Sequence, residues 1–186
     1  HRTWHQLGGR STCTMLFGHV ETIEQRIDHL AQLRALQDET GGFTGFIPLP
    51  YQPENNAIPV THPPTGNDAL RTIAVSRLFL DNFDHLTAYW VGLGMKLAQV
   101  ALSYGADDLH GTIVEENIFR MAGTGAPQSQ PEAALIKAIR EAGKTPVQRN
   151  TFYEPVREWT DDTPDAPHSP DDSVPPNLLG DNLATA

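Results

Sequence analysis

The chain has 186 residues, of which 13 are Lys or Arg and 23 are Asp or Glu, and its formal net charge is −10. This acidic balance argues against binding to nucleic acid or to an anionic lipid surface, because both need clustered cations. A single cysteine excludes an internal disulfide and any iron–sulfur or zinc site built from several cysteines of this chain. No apolar run reaches the roughly 20 residues that span a bilayer, so we expect a cytoplasmic protein without membrane contact.

The first part of the chain, 1–154, alternates segments typical of strands with segments typical of helices. Short apolar runs predict four strands, at 11–17, 43–49, 85–91 and 109–114. Apolar residues at helical spacing predict helices at 22–37, 67–80, 95–104, 115–122 and 131–142. A polar loop at 51–66 is longer than an ordinary connection, which indicates a lid or binding loop.

Two helix starts have recognisable capping residues. Thr22 and Gln25 have the spacing of a capping box, in which each side chain bonds the backbone N–H of the other. Asn67 or Asp68 is the expected cap of the helix that follows the long loop. These signals define where the helices begin in the alternating pattern.

The repeated strand–helix order predicts an α/β fold with a parallel sheet and right-handed crossovers. Two architectures fit: a small flavodoxin-like sheet, or the second half, strands 5 to 8, of a TIM-type (β/α)8 barrel, which takes about 250 residues when whole. The last part, 155–186, is rich in Pro and Asp and, from residue 159 onward, has no Lys or Arg. We interpret it as a disordered acidic tail, because such composition cannot bury much apolar surface.

Candidate functional residues follow the predicted strands, because ligands bind at the carboxyl ends of parallel strands. His19, Glu21, Tyr89 and Glu115 lie there and suit a small organic ligand with aromatic and polar groups. Arg71 could bind a carboxylate or belong to a solvated helix face. Tyr89 and Trp90 would point to opposite sides of the third strand, so at least one is expected in the core.

A metal site and a nucleophilic cysteine are weaker interpretations. His19, Glu21, His85 and Glu115 could together bind a metal in a hydrolase, but no paired-histidine spacing supports that set. Cys13 lies inside an apolar run, where a cysteine is more often inert. We therefore expect no metal site in this chain.

Longer motifs add a family resemblance. TMLFGHVET (14–22), RALQDETGGFTGFIPLPYQPEN (34–55) and VEENIFRMAG (114–123) resemble the radical S-adenosylmethionine enzymes of futalosine-route menaquinone synthesis, which are relatives of the deazaflavin FO synthases. Within them the last motif is most similar to the aminofutalosine synthase branch. The resemblance covers about residues 1–153 and implies strands 5 to 8 of a barrel whose N-terminal half is missing here.

The resemblance implies cofactors that this chain does not hold alone. In that family a 4Fe–4S cluster on a C-x3-C-x2-C loop cleaves S-adenosylmethionine, with electrons from a flavodoxin or ferredoxin. In the aminofutalosine branch the 5′-deoxyadenosyl radical adds to the enol ether of 3-((1-carboxyvinyl)oxy)benzoate, and loss of CO2 gives 6-amino-6-deoxyfutalosine. The cluster loop is absent here and Cys13 cannot replace it, so we expect the chain alone to be inactive.

The resemblance assigns a few residues. Leu16, Gly18 and Glu21 match the motif that follows the family's fifth strand and are the cofactor-binding candidates, with contacts to the adenine beside the glycine and a mainly structural role for the glutamate. The candidates for substrate binding rest on position alone: His19, Arg71, Tyr89 and Glu115. Two alternatives stay open: the cyclic futalosine or FO synthase branch, and a non-catalytic module that binds a nucleoside.

Overall fold

The computed structural model describes residues 1–113, 116–123, 127 and 129–160. Within them the elements in chain order are α1 (Arg2–Gln6), β1 (Ser11–Phe17), α2 (Ile23–Thr40), β2 (Phe43–Pro50), α3 (Gly66–Phe79), α4 (Trp90–Leu93), α5 (Met95–Ala101), α6 (Ile118–Met121), α7 (Glu132–Glu141), β3 (Val147–Arg149) and β4 (Pro155–Glu158). The protein is thus α/β in the part of the chain that the structure describes. No helix there is long and apolar enough to cross a membrane.

The sheet is small and parallel. β1 and β2 pair in parallel with Cys13 opposite Phe46. A bridge joins Phe46 to Leu86, and a second joins Thr87 to Asp108, both parallel. Four chain segments therefore lie side by side in chain order. The parallel pairing is what the alternating sequence pattern predicts, but the pattern did not predict the order of the segments, and a closed or half barrel is not seen in the described residues.

The strands predicted at 85–91 and 109–114 do not form as such in the described residues, which end at 113 in the second range. Pairing in this region is confined to the two bridges, and Trp90 begins α4 instead of continuing a strand. The Trp90 side chain is fully buried and donates its indole N–H to the carbonyl of Gly111 at 3.0 Å. The apolar run therefore reflected burial, which does not distinguish a strand from a short buried helix.

Helix starts follow local chemistry. The capping box predicted at Thr22 and Gln25 is present at the start of α2. The cap of α3 is Thr65, not Asn67 or Asp68, and Asp68 is its reciprocal partner three residues later. The helix begins earlier than expected because Thr65 as the cap and Asp68 at the third helical position together satisfy two backbone N–H groups.

The core lies between the sheet and the helices. Cys13, Met15 and Phe17 of β1 are buried, whereas the alternate residues are exposed. Phe46 of β2 is fully buried on the same side, and Phe43 stacks on Phe83 with ring centroids 5.4 Å apart. The period of two along β1 thus places one face of the sheet in the core.

The opposite face is covered only in part. At β1 the side chains on this face, Thr12, Thr14 and Leu16, are exposed. At β2 the face is covered by Tyr153, whose hydroxyl lies 2.7 Å from where a Cβ on Gly45 would be. Only a glycine at position 45 leaves room for the tyrosine. We call this side of the sheet, Thr12, Thr14, Leu16 and Gly45, the open face.

Tyr153 comes from an antiparallel hairpin of β3 and β4. The boundary expected between 154 and 155 falls inside this hairpin, so that β4, which the sequence assigns to the tail, is a strand. Trp159, just after it, is buried. The rest of the predicted tail, 161–186, lies outside the described residues.

Candidate functional site

The end of β1 turns sharply at Gly18. Its φ is +86°, and a Cβ there would lie 2.6 Å from the ring of Pro64. A side chain at this position would therefore be strained and would collide with the long loop before α3. Glycine lets the loop close over the end of the strand.

Glu21 stabilises that turn. Its carboxylate accepts the backbone N–H groups of Gly18 and His19, the latter at 2.9 Å, and a 2.6 Å bond from the Arg26 guanidinium. Burial disfavours the charged carboxylate, but these donors outweigh it and hold the pKa of Glu21 below its ordinary value. The arrangement fits the mainly structural role expected for Glu21.

Replacement of Glu21 by glutamine is expected to lower the free energy of unfolding at pH 7 by about 2 kcal/mol, because hydrogen bonds to a charged acceptor are lost. The carboxylate's contribution is present above its unfolded-state pKa, about 4.3, and is lost as pH falls through the lower folded-state pKa. Urea unfolding at pH 7 and pH 3 measures this. The difference between wild type and variant should shrink in acid, whereas Glu158→Gln, an exposed control, should change little at either pH. An equal difference at both pH values would contradict this role.

Two further candidates lie beside this turn. Leu16 has a half-exposed side chain on the open face, one residue before Phe17. The His19 ring lies edge to face with Tyr51, with centroids 5.8 Å apart. His19 Nδ1 is 3.4 Å from a Glu21 oxygen, but it is buried and makes no hydrogen bond with the described residues. The structure thus brings Leu16, Gly18, His19 and Glu21 together at one strand end.

Tyr89 lies at the end of the third segment. Its ring meets those of His110 and Phe119 edge to face, with centroids 5.1 and 5.4 Å away. Burial, and then the charge of Glu116, raise the pKa of Tyr89. Glu116 itself accepts the backbone N–H groups at the start of α6. Glu115 lies outside the described residues.

Arg71 lies in a different place. It lines a groove between α2 and α3, on the helix side of the sheet, together with Arg26 and Asp68. The sequence could not separate a site residue from a helix-layer residue here, because Arg71 belongs to a helix whose faces are set by packing. The structure does not bring it together with Tyr89.

A charged network lies on the open side of the sheet, and the sequence did not predict it. Arg149 donates two hydrogen bonds to Asp108, at 2.8 and 3.0 Å, and Thr87 donates a third at 2.7 Å. The Arg149 guanidinium lies 3.8 Å from the centre of the Tyr153 ring, and that ring stacks on His85. No local signal could find this network, because its members are far apart in the chain.

Two of the residues considered for a metal site, Glu21 and His85, have other partners. His85 bonds Asp107 at 2.7 Å, and Asp107 also accepts Arg77. No group of three or more His, Cys, Asp or Glu suited to a metal occurs in the described ranges. Cys13 is buried, and burial raises the pKa of its thiol to about 12. It does not fit a role as a ligand of an iron–sulfur cluster, which needs thiolates.

Comparison with known proteins identifies the family to which this chain belongs. The family described as the CofH/MqnC C-terminal region matches residues 40–163, more than half of the chain. The chain belongs to the CofH/MqnC family. The matched range contains β2, Tyr89, His110 and the β3–β4 hairpin, so the charged network lies within the family region.

Three curated relatives of the CofH/MqnC chain carry different names. It is 48% identical over 163 residues to aminodeoxyfutalosine synthase of Thermus thermophilus, covering 86% of this chain and 44% of the relative. It is 45% identical to cyclic dehypoxanthine futalosine synthase of Streptomyces coelicolor, covering 81% and 37%. It is also 45% identical to 5-amino-6-(D-ribitylamino)uracil–L-tyrosine 4-hydroxyphenyl transferase of Methanopyrus kandleri, covering 84% and 44%. The chain spans less than half the length of these relatives, and the identities do not select one member.

Proposed function

We propose that this chain is the C-terminal half, strands 5 to 8, of the barrel of a radical S-adenosylmethionine enzyme, an aminodeoxyfutalosine synthase of menaquinone biosynthesis. The observation that carries the proposal is the 48% identity to a relative of that name over 163 residues. The order of the parallel segments supports it. So does the exposed open face at β1, which an N-terminal half would cover.

The proposal divides the chemistry between two parts of one enzyme. Cys13 is buried and protonated, so the cluster ligands come from the N-terminal half, as does the entry of electrons from a flavodoxin or ferredoxin. This chain supplies strand ends to the pocket. Leu16 offers an apolar surface and Gly18 an open backbone to the adenine of S-adenosylmethionine, and Glu21 holds their turn.

The substrate contacts belong to the same proposal. His19 Nδ1, buried and without a hydrogen bond in the described residues, is suited to a polar group of the substrate. Tyr89 shields the pocket from water, which a radical reaction requires. Arg71 and Glu115 are the remaining candidates, proposed from their positions in the sequence. Arg71 lies in the groove that it shares with Arg26, away from Tyr89, so a substrate carboxylate would have to bind in that groove.

A second candidate is the cyclic dehypoxanthine futalosine synthase or FO synthase branch. Two relatives with other names are each 45% identical to this chain, which is close to the 48% identity that supports the first candidate. The two candidates share the cleavage of S-adenosylmethionine and differ in the second substrate, so product analysis separates them.

The test compares the isolated chain with the same sequence joined to an N-terminal half from the Thermus relative. After anaerobic reconstitution with iron and sulfide, the assay adds S-adenosylmethionine, a reductant for the cluster and 3-((1-carboxyvinyl)oxy)benzoate. We expect the joined protein to release a 5′-deoxyadenosyl-containing product, with methionine and CO2, and the isolated chain to form none. Product is identified by mass spectrometry.

A Cys13→Ala variant of the joined protein is the matched control. It should hold as much iron and turn over as fast as the unsubstituted protein, because the buried thiol binds no iron. Cluster assembly or turnover by the isolated chain would contradict the division of labour. Conversion of cyclic-branch substrates alone would favour the second candidate.

A further inference from the structure

His110 has an unusual backbone conformation. Its φ is +70°, in the left-handed region that costs an L-residue stability and that glycine adopts freely. Gly111 follows with φ +83°. Among the described residues other than glycine, only Tyr153 shares this property, with φ +64°. A histidine at such a position needs a physical reason.

The backbone around His110 is held in place by its neighbours. The N–H of His110 donates to Asp108 at 3.1 Å. Asp108 is itself fixed by Arg149 and Thr87. The strained conformation is therefore imposed by a charged network that does not involve the imidazole.

The side chains of the two strained residues differ in what they do. The Tyr153 ring is enclosed between His85, at 4.2 Å between centroids, and Arg149, at 3.8 Å, so its side chain is part of the packing. His110 is an exposed residue at the rim, and its ring nitrogens make no hydrogen bond within the described residues. Its ring meets Tyr89, whose hydroxyl also makes none there. Packing therefore does not account for a histidine at position 110.

We propose that His110 is a specificity-determining residue that, with the Tyr89 hydroxyl, hydrogen-bonds an uncharged oxygen of the organic substrate, which in 3-((1-carboxyvinyl)oxy)benzoate is the ether oxygen. The inference rests on the proposed function and names the part of the site that selects the second substrate. Tyr89 follows the third parallel segment and His110 the fourth, at the sheet end where the pocket is expected.

The chemistry of the pair favours a neutral group. Although His110 is exposed as a whole residue, partial burial of its ring lowers the pKa of His110, with Asp108 opposing and Arg149 adding to the effect. The pKa of Tyr89 is raised by burial and by Glu116. Both side chains are neutral near pH 7, and each can donate and accept one hydrogen bond. The free-energy cost of removing water from the pair and its partner is lower when the partner is uncharged than when it is an ion.

The first test measures stability in the chain itself. Thermal unfolding is compared for wild type, His110→Gly and His110→Ala. We expect His110→Gly to have a higher Tm than His110→Ala and no lower than wild type, because glycine relieves the strained backbone. A His110→Gly variant that melts well below wild type would show that the imidazole is structural and would overturn the inference.

The second test measures selection in the joined protein. His110→Gly is expected to raise KM for the organic substrate at least tenfold and to leave KM for S-adenosylmethionine unchanged. His110→Asn, which tolerates the left-handed region and keeps a hydrogen-bonding group, should recover part of the loss. Unchanged KM for the organic substrate in His110→Gly would overturn the inference while the proposed function stands. An unsubstituted protein that does not convert the substrate overturns both, and is recognised before any variant is made.

Discussion

Replacement of Arg149 by alanine is expected to lower the free energy of unfolding at pH 7 by about 3 kcal/mol, because the Asp108 carboxylate is left partly buried without its counter-ion. Arg149 donates two bonds to Asp108 and covers the Tyr153 ring. Urea denaturation followed by circular dichroism measures the change. Lys96→Ala, at an exposed site, is the control and should stay within about 0.5 kcal/mol.

A Lys at position 149 separates charge from geometry. It keeps a positive charge but lacks the planar fork that bonds both oxygens of Asp108. We expect a loss between those of wild type and Arg149→Ala. If Arg149→Ala is as stable as the control variant, the network does not hold the hairpin on the open face.

Acid should weaken the same network. Burial opposes the Asp108 carboxylate, but Arg149, Thr87 and the His110 N–H together hold the pKa of Asp108 below its ordinary value of 3.8. A lowered folded-state pKa means that the pair's stabilisation is complete above the unfolded-state value and is lost as pH falls through the folded-state value. The effect of Arg149→Ala should therefore diminish below about pH 4.

Replacement of Phe46 by alanine should lower the free energy of unfolding by about 4 kcal/mol, because the change removes a fully buried ring and leaves a cavity. Phe46 packs edge to face against Phe83 and pairs with both β1 and Leu86. Its side chain is therefore at the centre of the sheet. Urea unfolding gives the value.

Phe152→Ala is the matched control for this change. Phe152 is 58% exposed, and surface substitutions of this kind change stability by about 0.5 kcal/mol or less. Phe46→Leu should fall between the two, since it keeps most of the buried apolar volume. Equal losses at 46 and 152 would mean that the core does not lie between the sheet and the helices as described.

Much of the local structure was predictable because its causes are local. The apolar runs at 11–17 and 43–49 and the Thr22 capping box each depend on residues a few positions apart, and the two strands and the helix start are confirmed. The sequence did not predict that β1 buries only one face. The glycine that ends β1 and the glutamate three residues later are also close in the chain. The sequence alone therefore determined the first strand–helix–strand unit and the turn at its candidate site.

The rest depends on contacts between distant residues. Trp90 begins a short helix, and its buried indole bonds Gly111, 21 positions later; an apolar run cannot show this. Arg149 and Asp108 are 41 residues apart, so neither the hairpin nor its network has a local pattern. The left-handed backbone of His110 follows from that network. Only the tertiary structure decided these features, because the free energy that selects them comes from burial and pairing across the chain and not from the preference of any short segment.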